Sequence, residues 1–262
     1  MNEALIVIDS RELLERVFSF MIPFIRIGAF IAVLPLFGSQ MVPVRVRLIL
    51  TIVLTMIATP MIGLSIPPDI SLATVLLVMQ QILVGVSMAF MLVIFFHIFA
   101  LAGQMLALQM GLGFASMIDP SNGVSVPIIS QFYTILVGML FLTFGGHLVA
   151  IEAIVESFRV IPVDAMWQFD QAASQLINAG SWMFAAALLM ALPAVVAILI
   201  VNLAFGVMTR AAPQLNIFSL GFPFTLVFGL FIIWVSMQGF LVQYEQLSVE
   251  AFSRLRQLLL SS

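Results

Sequence analysis

A run of 49 residues, from Ile70 to Ile118, contains no Asp, Glu, Lys or Arg. The hydrocarbon core of a bilayer is about 30 Å thick, and a helix of about 20 apolar residues crosses it. A helix of 49 residues would extend roughly 70 Å at about 1.5 Å per residue. We therefore expect that this run is not one simple membrane crossing. It must fold back, break, or lie in protein that replaces lipid.

Composition places the chain among integral membrane proteins. Hydrophobic residues make up 63% of the sequence and charged residues 8%, whereas an ordinary soluble domain has about 25% charged residues. The formal net charge of −3 argues against a nucleic-acid-binding protein, which needs a basic surface. The chain has no cysteine, which excludes disulfides, thiolate metal sites and cysteine nucleophiles.

Five further charge-poor segments flank the central run. If that run is counted as one or two helices, the sequence predicts six or seven apolar helices. Proline and glycine occur inside these segments, and an interior proline removes a backbone donor. We therefore expect broken helices and helical hairpins that pack against other protein. The five segments are Val17–Phe37, Leu48–Ile66, Pro127–Ile151, Ser181–Met208 and Ile217–Tyr244.

Two segments have amphipathic patterns. The polar interval Glu152–Gly180 contains one apolar helical stripe, which indicates an interfacial or partner-facing helix. The C-terminal stretch Tyr244–Leu260 pairs Glu250 with Arg254 at helical spacing and predicts an amphipathic end helix. The stripe consists of Phe169, Ala172, Ala173, Leu176 and Ile177, and the packing residues of the end helix are Leu247, Phe252, Leu255, Leu258 and Leu259.

Little in the sequence supports catalysis. His97 and His147 have no Asp or Glu within four residues, whereas a zinc site needs converging ligands. We interpret both histidines as packing or interfacial residues. Gly111 and Gly113 form a G-x-G pattern that lacks the lysine and the preceding strand of a phosphate loop. We expect no enzymatic activity, no metal and no cofactor.

A small-solute transporter or channel, acting alone or as a homo-oligomer, is the alternative interpretation. Such proteins place ionisable residues within the membrane as relays or ligands. Here Arg26 is the one such residue inside an apolar segment, and it either snorkels or pairs with an acidic residue, of this chain or of a partner. The other polar residues in mid-segment suit hydrogen bonding between helices. They are Gln80, Gln81, Gln104, Gln109 and Asn202.

The sequence resembles the FliR family of bacterial flagellar export proteins and the related SctT family of injectisomes. Three stretches carry the resemblance: GQMLALQMGLGFASMIDP (Gly103–Pro120), LFLTFGGHL (Leu140–Leu148) and MALPAVVAILIVNLAFGVMTRAAPQLNIFSLGFPFTL (Met190–Leu226). The combination of NLAFGVMTRAAPQLNIF with a following GFP is highly specific. The similarity extends over essentially the whole length and favours the flagellar branch.

The resemblance implies an all-α membrane subunit in which a FliP-like part (about residues 1–180) is joined to a FliQ-like part (about 181–262). The FliQ-like part comprises a helical hairpin and the C-terminal amphipathic helix. Members of the family assemble with FliP- and FliQ-family proteins into a helical hetero-oligomer. This export gate lies in the flagellar basal body of the inner membrane, and unfolded proteins pass through it. A FlhB-family protein is a further expected partner.

The resemblance also implies that a loop of this subunit plugs the channel, and residues Gln109–Pro120 match that loop. An apolar constriction excludes water and ions, methionine adapts its shape, and glycine adopts conformations that other residues avoid. Without the resemblance, a tight re-entrant turn with no gating role is the alternative. The expected plug residues are Met110, Gly111, Leu112, Gly113, Phe114 and Met117, and the expected anchors of the loop exit are Asp119 and Pro120.

Two polar turns are candidate contacts with partner subunits. One turn lies just before the second apolar segment, and the other lies between the last two apolar segments. Together with the intramembrane arginine, the candidate contact residues are Arg26, Arg45, Arg47, Arg210, Pro213 and Gln214.

Overall fold

A computed structural model describes residues 10–38, 42–62, 72–112, 127–163, 165, 167–211 and 217–260. These residues form seven α-helices and no β-strand, which confirms the predicted all-α class. The helices are α1 (Ser10–Val33), α2 (Val44–Ile62), α3 (Leu72–Gln109), α4 (Ile128–Thr143), α5 (Gly146–Val160), α6 (Phe169–Ala211) and α7 (Ile217–Leu260).

Four of the helices in the described ranges are long and apolar enough to cross a membrane. They contain the candidate spans Arg16–Val33, Leu72–Gln109, Phe169–Met208 and Pro223–Leu260. Helices α4 and α5 form a fifth, broken span if they are taken together. The chain is therefore an all-α integral membrane protein. Helix α2, which has Arg45 and Arg47 in its first turn, is not among the candidate spans.

Helix α3 decides between the three possibilities for the central run. Residues Leu72–Gln109 form one continuous helix of 38 residues, which is about 57 Å long at about 1.5 Å per residue. In an 18-residue apolar window of this helix, 67% of the residues are buried within the chain itself. The third possibility therefore holds, because neighbouring helices replace lipid around much of this helix.

The interior prolines do not break their helices either. Pro23, Pro60, Pro193 and Pro223 lie inside α1, α2, α6 and α7, respectively. The break in the segment predicted as Pro127–Ile151 instead falls between α4 and α5. There Gly145 has φ 70°, a left-handed conformation that glycine adopts without a steric penalty.

The polar interval Glu152–Gly180 is not a separate helix, because it divides between the end of α5 and the start of α6. Ala172 of its apolar stripe is buried, whereas Phe169 and Ile177 are exposed. The amphipathic C-terminal helix is confirmed as the last part of α7. Its residues Leu255, Leu258 and Leu259 are buried.

The chain forms two compact units that alternate along the sequence. Unit 1 consists of Met1–Val93, Gly145–Leu176 and Arg254–Ser262, and unit 2 consists of Ile94–Phe144 and Ile177–Ser253. Helices α3, α6 and α7 each contribute residues to both units. The division into a FliP-like and a FliQ-like part near residue 180 stays a prediction.

Candidate functional site

Helix α3 ends in a glycine C-cap just before the segment that is expected to plug a channel. The amide of Leu112 donates to the carbonyl oxygen of Ala107 at 2.9 Å, and the amide of Gly111 donates to that of Leu108 at 3.1 Å. This pair of hydrogen bonds is the Schellman motif. Gly111 has φ 82°, so the expectation that this glycine adopts a conformation unfavourable for other residues is confirmed.

Met110, next to this cap, is completely buried within unit 2. Its side chain lies against Gly229 of α7, where an added Cβ atom would come within 2.5 Å of the Met110 Cγ atom and 2.8 Å of its Sδ atom. Gly229 therefore leaves the space that Met110 fills. In the chain by itself Met110 therefore offers no free surface and helps to fix the end of α3, and its part in a channel plug stays a prediction.

A second contact at the end of α3 involves Asn202 of α6. Its Nδ2 atom donates to the carbonyl oxygen of Gln109 at 3.4 Å. The last carbonyl groups of a helix lack partners within the helix, and this amide supplies one. The bond is long for an N–H···O interaction and is therefore weak. It confirms that Asn202 hydrogen bonds between helices.

The chain returns from the segment 113–126 at Pro127 and continues as α4. Ser130 of α4 is buried, and its hydroxyl donates to the carbonyl oxygen of Ala100 at 2.8 Å. A Cβ atom at Gly103 would lie 2.6 Å from the Ser130 Cα atom, so the glycine allows the two backbones to meet. Small residues permit such close helix packing.

Both ends of the segment 113–126 are thus fixed within unit 2. We call these contacts the loop base, which consists of Gly103, Gln109, Met110, Gly111, Ser130, Asn202 and Gly229. The segment that departs from the loop base contains the remaining expected plug residues and the two expected anchors. These residues, Gly113, Phe114, Met117, Asp119 and Pro120, lie outside the described residues, whereas Leu112 is half-buried.

Aromatic packing adjoins the loop base in unit 2. The ring centroids of Phe99 and Phe240 are 5.6 Å apart, and those of Tyr133 and Phe240 are 5.4 Å apart. Such tilted aromatic pairs add to the free energy of area burial. Because these rings connect α3, α4 and α7, they provide a scaffold on which the loop base is held. This cluster was not predicted, since aromatic residues recur throughout the apolar segments.

Arg26 belongs to unit 1, and its placement corrects the expectation that it snorkels, pairs with an acidic residue or contacts a partner. Its side chain is fully buried. The Nε atom donates to the Oε1 atom of Gln81 at 2.7 Å, and Nη1 donates to the carbonyl oxygens of Ser157 and Ile161 at 3.0 Å. The guanidinium Cζ atom lies 4.2 Å from the ring centroid of Phe158. Neutral acceptors at the C-terminus of α5, where cations are favoured, therefore hold this charge.

The other expected partner contacts have different environments. Arg45 is exposed, as is Arg210, so both are accessible on the isolated chain. Arg47 is half-buried, and its Nε and Nη2 atoms donate to the carbonyl oxygen of Val42 at 3.1 and 2.9 Å, which fixes the entry to α2. Pro213 and Gln214 lie outside the described residues.

In the described part of the chain, no group of three or more His, Cys, Asp or Glu residues could hold a metal ion. The loop base instead combines glycines, one serine, one methionine and two carboxamide residues. Neither Ser130 nor the pairing of Gly229 with Met110 was predicted. The available signal was a small residue in each apolar segment next to the expected loop.

The chain is similar in sequence to known proteins. Residues 17–251 match the family described as bacterial export proteins, family 1. The flagellar biosynthetic protein FliR of Pectobacterium carotovorum subsp. carotovorum is 38% identical over 85% of each chain. The FliR protein of Escherichia coli (strain K12) is 35% identical over 89% of each chain. The FliR protein of Bacillus subtilis (strain 168) is 29% identical over 92% of this chain and 94% of its own length. The chain therefore belongs to family 1 of the bacterial export proteins, the family of the flagellar biosynthetic proteins FliR.

Proposed function

We propose that this chain is a core subunit of the flagellar type III export gate. In this proposal it assembles with FliP- and FliQ-family proteins, and further with a FlhB-family protein, in the bacterial inner membrane at the flagellar basal body. The assembly forms the channel for unfolded flagellar proteins. The proposed role needs no catalysis and no cofactor, since the subunit forms and closes a passage.

The exposed apolar surface of α6 is the observation that carries this proposal. Ile177 and Val207 are 71% and 70% exposed, and they are about 45 Å apart along the helix at about 1.5 Å per residue. A bilayer core is about 30 Å thick. A tilt beyond the usual range of about 0–40° would be needed to keep both side chains in lipid. Partner proteins are therefore needed to cover part of this surface.

The loop base supports the proposal that the segment 113–126 closes the channel. A plug that swings must be attached at fixed points, and both of its ends are held by packing within unit 2. The cap at Gly111 ends α3 sharply, just before the proposed plug segment. A tight turn without a gating role is the competing interpretation.

A coupled small-solute transporter fits less well. Such proteins use intramembrane ionisable groups as relays or ligands. Arg26 is buried, and its guanidinium is engaged by Gln81, Ser157 and Ile161. It is therefore arranged to hold helices together and has no open side for an ion or solute.

Native mass spectrometry tests the assembly. The chain is tagged, expressed in its own host and extracted in mild detergent. We expect a defined mass that contains FliP- and FliQ-family chains around this one. A stable monomer or homo-oligomer without such companions would contradict the proposal and favour the transporter.

A deletion tests the plug. Removal of residues 114–117 retains the cap at Gly111 and the contacts of Met110, so we expect normal assembly but a raised ion conductance of the gate in planar bilayers. The control replaces the same four residues by a Gly-Ser linker of equal length, which restores length without apolar surface. Unchanged conductance in both variants would remove the plug role, and leakage in both would assign closure to the apolar side chains.

A further inference from the structure

The buried cluster around Arg26 in unit 1 contains a side-chain donor without an acceptor. Gln81 of α3 has no solvent exposure, and its Nε2 atom is buried and has no hydrogen-bond partner in the chain. Native proteins pair nearly all of their buried polar groups, with protein or with ordered water. An unpaired buried donor costs the full free energy of its desolvation. The Gln81 amide therefore needs an acceptor from outside the chain.

Reversal of the Gln81 amide does not supply this acceptor. The Nε atom of Arg26 donates to the Oε1 atom of Gln81 at 2.7 Å, so the amide oxygen must face the guanidinium. In the reversed orientation two donors would face each other, because the arginine side chain has no acceptor atom. The contact with Arg26 thus fixes the orientation of the amide and leaves Nε2 as its unpaired end.

The guanidinium has a second spare donor on the same edge. Its planar fork directs Nε–H and one Nη2–H from one edge, and the other Nη2–H and one Nη1–H from its end. The carbonyl oxygen of Ile161 accepts from both Nη1 and Nη2 at 3.0 Å and therefore lies at the end. Nη1 also donates to Ser157. Among the described residues, Gln81 alone accepts on the edge, and it takes the Nε–H.

The two spare donors are close together. The Nε2 and Oε1 atoms of Gln81 are bonded to the same carbon, so Nε2 and the free Nη2–H of Arg26 both lie beside the contact between Nε and Oε1. A carboxylate would present two acceptor oxygens to this edge of the guanidinium, whereas the amide presents one. The edge therefore has room in its hydrogen bonding for one further acceptor atom.

The acceptor must be small, because the cluster is closed. Arg26 and Gln81 are both fully buried. One turn along α3, a Cβ atom at Gly85 would overlap the carbonyl oxygen of Arg26, so the backbones of α1 and α3 are in contact there. Lipid offers no acceptor at membrane depth, and a side chain of another protein cannot reach a fully buried group.

Water meets these requirements. Its oxygen accepts from two donors, and its hydrogens can donate to carbonyl oxygens of the cluster, each of which has two lone pairs. Buried waters typically make about three hydrogen bonds to groups that otherwise lack partners.

We propose that one water molecule is bound within unit 1, where it accepts hydrogen bonds from Nη2 of Arg26 and Nε2 of Gln81. It forms a second bridge between α1 and α3 beside the direct bond from Nε to Oε1. The inference concerns the interior of unit 1 and does not depend on the proposed function, so either can fail without the other.

A cryo-EM map of the purified assembly that contains this chain, at a resolution that shows ordered water, tests the site. We expect a peak at hydrogen-bond distance from both Nη2 of Arg26 and Nε2 of Gln81. The map is recorded with chloride and again with gluconate as the only anion. A peak that requires chloride would identify an anion and overturn the assignment to water. No peak, where other buried waters of the chain are resolved, would overturn the site itself.

Two adjacent glutamines provide a matched pair of variants. Gln81→Glu supplies two carboxylate oxygens, which accept directly from Nε and Nη2 of Arg26, so we expect the peak to disappear. Gln80→Glu is the control, because the Nε2 atom of Gln80 donates to the carbonyl oxygen of Ala165 at 2.7 Å, outside the cluster. We expect this variant to retain the peak. A peak that persists in Gln81→Glu, or that disappears in both variants, would contradict the proposed bridge. If Gln81→Glu does not assemble, the wild-type map still decides.

Discussion

The two units hold their helices together in different ways. In unit 1, Arg26 donates five hydrogen bonds, to Gln81, Ser157 and Ile161. In unit 2, the loop base combines close packing of Met110 against Gly229 with two side-chain hydrogen bonds, a long one from Asn202 and one of 2.8 Å from Ser130. Hydrogen bonds to a charged group are directional and strong, whereas a methionine contact adapts to small shifts. The first arrangement resists movement, and the second tolerates it.

Glycine serves both arrangements by allowing close approach. In unit 1, a Cβ atom at Gly85 would overlap the carbonyl oxygen of Arg26, and in unit 2 a Cβ atom at Gly103 would overlap the backbone of Ser130. The difference between the units therefore lies in the side chains around the contact. A fixed polar cluster suits a scaffold, whereas an adaptable methionine contact tolerates small shifts of the helices that it joins.

Replacement of the buried arginine is expected to have the largest effect. Arg26→Met leaves Gln81 and the carbonyl groups of Ser157 and Ile161 buried without their donor, and each such loss costs about 1–3 kcal/mol. We expect the free energy of unfolding in detergent to fall by about 3 kcal/mol or more. We expect the free energy of unfolding of Arg26→Lys to lie between those of the wild type and of Arg26→Met, because a single ammonium group cannot reach all of these acceptors.

Arg45→Met provides the control for this comparison. Arg45 is exposed in the same unit, and substitutions at such surface positions usually change stability by less than about 0.5 kcal/mol. Denaturant titration of the three variants, followed by tryptophan fluorescence, ranks them. Equal losses for Arg26→Met and Arg45→Met would show that the hydrogen-bonded cluster does not stabilise unit 1.

The two glycine contacts of unit 2 differ in how easily the contacted atoms can move aside for an added methyl group. Gly103→Ala places a methyl group against the backbone of Ser130, whereas Gly229→Ala meets the flexible side chain of Met110. Overpacking a well-packed site costs about 1–3 kcal/mol, and we expect Gly103→Ala at the upper end and Gly229→Ala at the lower. The measurement is the free energy of unfolding in detergent.

A compensating variant sharpens this prediction. Met110→Ala empties the space beside Gly229, so the double variant Met110→Ala/Gly229→Ala should recover part of the loss seen in the single variants. Contacting residues show such non-additivity, whereas distant ones do not. Strict additivity would indicate that Met110 and Gly229 do not pack against one another.

Much of the fold follows from patterns that are local in sequence. Charge-poor segments predicted most of the observed helices. The cap at Gly111 follows from one glycine after a long apolar run. The buried environment of Arg26 could not be predicted, because its acceptors are 55 and 131 residues away along the chain. The sequence also left open whether the central run forms one helix or two, since the cover of α3 comes from helices that are distant in sequence. The contacts of the loop base could not be predicted for the same reason, because they join residues that are distant in sequence.

The smallest effect is expected at the cap of α3. Gly111→Ala forces a side chain into the left-handed region, at a cost of about 1–2 kcal/mol, and Gly111→Asn should cost less because asparagine tolerates this conformation. If the loop base tolerates movement as proposed, the cap controls where α3 stops more than how firmly unit 2 is packed. We therefore expect Gly111→Ala to lower the free energy of unfolding by no more than this cost and Gly111→Asn to unfold nearly as the wild type does, while hydrogen exchange speeds up at the amides of Gly111 and Leu112 in both variants. Exchange unchanged in Gly111→Ala, or a loss of stability as large as that of Arg26→Met, would mean that the end of α3 is as rigid as the cluster in unit 1.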